Sequence, residues 1–146
     1  MKSKAFTLIE LLIVMAVIAI LISIAIPSFK GMQMEARKTK AQGDVRTIKM
    51  AVEAYYMDHH NTYPAEANYQ TSLSASVPQI LPNILYDPFG STSTTQYSYS
   101  LDTHNAATAT YYVIYSVGTS RNAIASVSTS GVVTASAEAV WDSNGH

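Results

Sequence analysis

Residues 8–26 read Leu8-Ile9-Glu10-Leu11-Leu12-Ile13-Val14-Met15-Ala16-Val17-Ile18-Ala19-Ile20-Leu21-Ile22-Ser23-Ile24-Ala25-Ile26, and Pro27 follows. Only Glu10 and Ser23 interrupt this apolar run of 19 residues. As a helix it spans about 28 Å, close to the thickness of a bilayer's hydrocarbon core, so it can cross a membrane. An ordinary secretory signal has a shorter apolar core and a small-x-small cleavage site; here Ser23-Ile24-Ala25 is the only candidate of that kind near the end of the run. Lys2 and Lys4 precede the run, whereas Lys30, Arg37, Lys38 and Lys40 follow it, a count that by itself favours an inverted orientation. Glu10 is the informative residue. A carboxylate in hydrocarbon costs roughly 2.5 to 3.5 kcal/mol on insertion scales, so it either reaches the headgroups from one turn inside the run or meets a cation. Cleavage between Ala5 and Phe6 would create an α-ammonium four residues from Glu10. A neighbouring copy of the chain could then supply the partner charge.

Outside this run the chain has room for one ordinary domain: it has 146 residues in all, 48% apolar and 13% charged, with no cysteine. A large multidomain enzyme is excluded, as are disulfides and thiolate metal sites. The net charge of -1 conceals a split, because residues 1–50 carry eight Lys and Arg against three acids, and residues 51–146 carry Arg121 alone against seven. The basic residues alternate with Glu35 and Asp44 and lack interleaved aromatics, which reads as a solvated helix face with no specific nucleic-acid partner. Beyond Pro27 the apolar positions Ala41, Val45, Ile48, Val52, Tyr55 and His59 recur at steps of three and four, while Arg46, Lys49 and Glu53 lie off that stripe. A helix from Phe6 to about His59, with a kink or local unwinding at Pro27 and Gly31, would be roughly 80 Å long. Asn61-Thr62-Tyr63-Pro64 stops it, and an Ala-, Ser- and Pro-rich loop leads to Tyr86 with a helical turn expected over 76–85. Asp87-Pro88-Phe89-Gly90 is a turn signal that opens the strand-forming part. Strands are expected at 96–101, 111–117, 123–127 and 132–135, a small antiparallel sheet whose apolar face needs the helical stripe as its cover.

Chemistry-bearing candidates are few. Asp58-His59-His60 resembles a metal cluster, but neighbouring helical residues point apart, and a helix-end role is the simpler reading. His104 stands alone. No phosphate-binding glycine loop, Gly-x-Ser-x-Gly or thiol nucleophile is present, so the reading is of a non-enzyme without a metal site. The ten tyrosines suit the margins between core and water, and subunit contacts, better than an electron relay.

Lys4-Ala5-Phe6-Thr7-Leu8-Ile9-Glu10-Leu11-Leu12 resembles the leader and mature N-terminus of type IV pilins and type II secretion pseudopilins. The resemblance implies that a membrane prepilin peptidase cuts between Ala5 and Phe6, that the new amine of Phe6 is methylated, and that Glu10 pairs with a neighbouring subunit's N-terminus during assembly. Ala5 stands where the family usually has Gly. The resemblance also implies a cytoplasmic leader and an external domain despite the charge count, with Pro27 and Gly31 marking where the helix opens when a subunit leaves the membrane. The order Asp87-Pro88-Phe89-Gly90, Tyr97-x-Tyr99, Tyr112-x-x-Tyr115-Ser116-x-Gly118 and a late Trp141 is similar to the type II secretion major pseudopilin. That subfamily binds calcium through aspartates in the loop after the Ser-x-Gly element; here residues 117–130 contain no acid and only Glu138 and Asp142 follow. Calcium takes six to eight oxygens with carboxylates among them, so no cofactor is expected and a calcium site would be weak.

The expectation is therefore an α+β, pilin-like fold: a long N-terminal helix packed by about four antiparallel strands. Residues 1–5 form a cleaved leader, 6–29 a transmembrane and filament-core helix, 30–60 its amphipathic continuation, and 61–146 a globular domain of loops and sheet. The implied role is a structural subunit of a helical homo-oligomeric filament, most simply a type II secretion pseudopilus. The alternatives are a surface type IV pilin for adhesion, motility or DNA uptake, or a monomeric membrane-anchored binding module. Implied partners are membrane lipid before assembly, the prepilin peptidase, an inner-membrane assembly platform, and minor pilins or pseudopilins. Implied localisation is a single pass through a bacterial inner membrane, then a periplasmic or cell-surface filament.

Overall fold

A computed structural model describes residues 6–146. Its elements, in order, are helix α1 (Leu8–Asp58), a 3-10 turn (Glu66–Asn68), helix α2 (Tyr69–Ala75), and strands β1 (Ser98–Leu101), β2 (Tyr112–Ser116), β3 (Ala125–Val127), β4 (Val133–Ala135) and β5 (Val140–Ser143). The chain divides into two compact units, one ending at Ala36 and the other comprising Arg37–His146.

In the first unit every described side chain is exposed, including the whole apolar run. In the second, α1 buries Ala41, Val45, Ile48, Ala51 and Val52, the stripe that the three-and-four spacing predicts, with Ala51 added to it. Tyr55 and His59 continue the stripe half-buried, their rings stacked at 3.7 Å. Helix α1 ends at Asp58, and His60 and Asn61 turn the chain with positive φ of 55° and 59°. The expected sheet is divided in two: β1-β2-β5 is one antiparallel sheet and β3-β4 another. Strand β5 is the correction to the four strands expected; it pairs with β2 from Val113↔Ser143 to Ser116↔Val140. Ala139-Val140-Trp141-Asp142 has no alternation to announce a strand, and its pairing is set by β2, distant in sequence.

Strand β2 is central and apolar on both faces. Tyr112 and Ile114 join Tyr97, Tyr99 and Leu101 over α1, while Val113 meets Ala125 and Val127 of the second sheet. Two polar pairs run along the helix–sheet seam: Tyr97 donates to Asp44 Oδ2 (2.8 Å), and Tyr112 to Glu53 Oε1 (2.6 Å). Burial first, then these hydrogen bonds, push both phenols well above the usual tyrosine range.

The helical turn expected over 76–85 falls instead at Tyr69–Ala75, where Tyr69, Gln70 and Leu73 are buried. Pro78 and Pro82 lack the N–H groups a helix over 76–85 would need. Buried Gln70 ties this loop down, donating to Leu85 O (3.0 Å) and accepting Leu85 N–H (2.7 Å). Asp87 makes the expected turn and more. Its buried carboxylate accepts Phe89 N–H, Ser116 Oγ–H and Val117 N–H at 2.9, 2.8 and 2.9 Å, joining the turn to the end of β2.

Candidate assembly segment

Three elements of chemistry converge at the start of α1. Thr7 is the residue before the helix, and its Oγ1 accepts the Glu10 N–H at 3.3 Å. Thr7-Leu8-Ile9-Glu10 is thus a Thr-x-x-Glu capping sequence, in which the acid occupies the third helical position. That signal is present in the sequence itself. A negative side chain in the first turn also faces the positive end of the helix dipole. Glu10 therefore suits the helix start irrespective of any partner, and its carboxylate remains exposed. Phe6 is 81% exposed, so the described chain leaves its α-carbon and ring open to neighbours. Ala5, the residue assigned to the cleavage site, lies outside the described residues.

The run after Glu10 is helical without interruption, and no side chain in its most apolar window is covered by the rest of the chain. By length and composition it can cross a membrane. A contiguous apolar surface of this size in a folded chain requires a cover, which for a helix apolar all round is lipid or other helices. Ser23 donates its hydroxyl back to Ile20 O at 2.7 Å, which removes its polarity from the surface. Pro27 has no N–H to offer Ser23 C=O four residues earlier, so the helix has one missing rung there, although α1 continues through both Pro27 and Gly31. A Cβ on Gly31 would meet nothing within 4 Å, so nothing in this chain requires glycine at that position. Glycine weakens a helix interior by about 1 kcal/mol relative to alanine. Residues 27–31 thus form the least secure stretch of the apolar helix.

The other candidates separate. His59 Nδ1 lies 3.1 Å from Tyr55 O and 3.5 Å from Asp58 Oδ2, and His104 Nδ1 lies 2.9 Å from Glu66 Oε1, so these two histidines have separate partners. Among the described residues no three His, Cys, Asp or Glu side chains group as a metal site. The loop after β2 is fastened by Glu138, which accepts Thr119 Oγ1–H and Ser120 N–H, both at 3.0 Å. These hydrogen bonds hold its carboxyl below the usual range although it is exposed. The five tyrosines Tyr56, Tyr63, Tyr112, Tyr99 and Tyr69 follow one another at centroid distances of 4.4 to 5.9 Å through the core. They fill the space between α1 and the loop and sheet around it.

A family model described as the prokaryotic N-terminal methylation motif matches residues 1–26. The chain is 37% identical over 71 residues to the ComG operon protein 3 homolog of Bacillus licheniformis, covering 49% of this chain and 73% of that one. It is 31% identical over 83 residues to the competence protein ComGC of Bacillus subtilis, 57% of this chain and 85% of the relative. Against the type II secretion system core protein G of Escherichia coli K12 it is 35% identical over 63 residues, and the match spans only 43% of either chain. No solved structure matches it.

Proposed function

The chain belongs to the pilin-like family marked by the prokaryotic N-terminal methylation motif, whose members are structural filament subunits rather than enzymes, and from that premise we propose that it polymerises as a type II secretion pseudopilus promoting protein export. The observation that carries the reading is an apolar helix, 8–26, exposed along its whole length and headed by a single carboxylate. Before assembly lipid covers that helix; afterwards identical helices do. The prepilin peptidase cleaves between Ala5 and Phe6, the Phe6 amine is methylated, and Glu10 of one subunit takes the α-ammonium of its neighbour. Residues 1–5 are leader, 6–29 the membrane and filament-core segment, 30–60 its continuation and 61–146 the displayed domain. Hydrophobicity gives no preference among registers within lipid, so close packing and the few polar groups present select one. The missing rung at Pro27 and the unsupported Gly31 are where the helix lengthens as a subunit is drawn from the membrane by an inner-membrane platform, with minor pseudopilins at the tip. The filament then stands in the periplasm and needs no cofactor.

The order of the Asp-Pro-Phe-Gly turn and the Tyr-Ser-x-Gly strand supports the pseudopilus. One observation favours the second reading, a surface type IV pilus for DNA uptake, adhesion or motility: the chain covers 85% of a protein named for competence and 43% of core protein G. Both readings share the processing step. Mass spectrometry of the mature N-terminal peptide is expected to find a methylated Phe6. A chain that keeps Met1, or begins after Ala25, contradicts the proposal and leaves a plain anchor or a secreted domain.

A further inference from the structure

The two outer edges of the three-stranded sheet are treated differently. At β1, the Leu101 N–H is taken by Glu66 Oε1 and the Tyr97 carbonyl just before the strand accepts the Tyr69 hydroxyl at 2.7 Å, so neighbouring side chains occupy that edge. At β5, the only hydrogen bond to the strand backbone from outside the β2 ladder, among the described residues, is that of Ser143 N–H to the adjacent Asp142 Oδ1, at 2.9 Å. An edge of this kind presents unpaired N–H and C=O groups to any extended chain that reaches it, and folded proteins ordinarily cover or blunt such edges.

Beside that edge lies a groove of about 580 Å³ between β5 and one flank of α1, walled by Val140, Trp141 and Asp142 on one side and Lys38, Gln42 and Arg46 on the other. Its charges are lopsided. Asp142 is already held by Lys49 at 2.7 Å, whereas Lys38 and Arg46 have no carboxylate within salt-bridge distance among the described residues. Eight residues of helix place the two cations about 12 Å apart along α1, too far for one carboxylate to serve both. Trp141, on the face of β5 opposite Asp142, is 44% exposed, an apolar side chain of the type that anchors protein contacts.

We propose that the β5 edge and the Lys38–Arg46 flank together form a docking site for an extended acidic segment of a partner protein, which adds to the sheet as a further strand. Backbone hydrogen bonds to β5 give the affinity, and alternate side chains give the specificity. Successive residues of an added strand point to opposite faces, so one set carries carboxylates towards Lys38 and Arg46 while the other lays apolar groups against Trp141. The occupant is thus a segment with acids and apolar residues in alternation. The proposal does not depend on which filament the chain builds.

Trp141 is the chain's single tryptophan, so its fluorescence reports the site directly. The probe is a synthetic hexapeptide alternating aspartate and valine, added to the full-length protein in detergent micelles. Saturable change in Trp141 emission is expected, with no response to the lysine–valine counterpart. N-methylation of alternate backbone amides, which keeps every charge but removes the strand's donors, is expected to abolish binding. Lys38→Glu with Arg46→Glu should weaken it by about tenfold or more. Equal binding of the N-methylated peptide would overturn the proposal in favour of simple charge attraction. An absent response to the aspartate peptide, or no effect of the double charge reversal, overturns it as well. A Trp141 change that follows the protein's own concentration without peptide assigns the edge to a second copy and equally overturns it.

Discussion

Glu10 supports the helix start and, in the proposed filament, also takes a neighbour's α-ammonium; a single substitution separates the two. As the third helical residue after the Thr7 cap it supports the start of α1, and as a charge in an apolar run it is available to a neighbour's α-ammonium. Glutamine serves in a capping sequence as well as glutamate does, but it cannot neutralise an ammonium. Glu10→Gln is therefore expected to leave membrane-bound, processed subunit at the wild-type amount while abolishing filaments, as Glu10→Ala should. Leaving an ammonium buried and unpaired costs several kcal/mol at every subunit added. Counting filaments by electron microscopy beside an immunoblot of the membrane fraction measures both quantities. Filaments of Glu10→Gln as long and as numerous as wild type would reduce the residue to a helix cap. The carboxylate was visible in the sequence because a charge in hydrocarbon demands explanation; the cap was equally visible, in Thr7-Leu8-Ile9-Glu10, but was obscured by the more specific signal over the same residues.

Among the elements, periodicity identified what local patterning controls and missed what distant partners control. The stripe on α1 and the first four strands follow from steps of three and four and from alternation, and they stand within a few residues of the expected positions. Strand β5 exists because β2, apolar on both faces, offers it a partner, and helix α2 because Gln70 and Leu73 find a buried site; neither cause is local. Asp87 is the same lesson at a turn. Its place in Asp-Pro-Phe-Gly was legible, but its grip on Ser116 and Val117 was not, since those donors are about thirty residues away. Asp87→Ala leaves three donors without their acceptor and is expected to destabilise the domain by about 3 kcal/mol, read from denaturant unfolding of the full chain in micelles. A loss below about 1 kcal/mol would show that water replaces the carboxylate. The tyrosines along the seam set an alkaline limit. Tyr97 and Tyr112 stay neutral in the fold above the ordinary value of 10.0, where the unfolded chain ionises, so the unfolded state holds fewer protons and stability falls as pH rises past about 10. The melting temperature should be level from pH 8 to 9 and decline above about 10, less steeply in Tyr97→Phe; a level profile to pH 11 contradicts that origin.

At the scale of the molecule, two units with opposite needs share one helix. The unit ending at Ala36 exposes an apolar helix that calls for lipid or other helices as its cover, while Arg37–His146 buries a core of its own. The sequence made this contrast plain, in 19 residues with one charge followed by a one-sided stripe, because burial all round and burial on one face leave different patterns. The particular filament is less legible, since the family model matches residues 1–26 and not the part of the chain that folds into strands. The proposed reading gives a subunit two settings, dissolved in the membrane or bundled with its copies, and the second is the one to test. It is tested most directly by shearing cells that express the chain and examining the released surface and periplasmic material by electron microscopy with antibody against residues 61–146. The expected result is thin filaments labelled along their whole length and absent from Glu10→Ala cells. Chain found solely as dispersed subunit in the membrane fraction, with no labelled filament in either compartment, would contradict it.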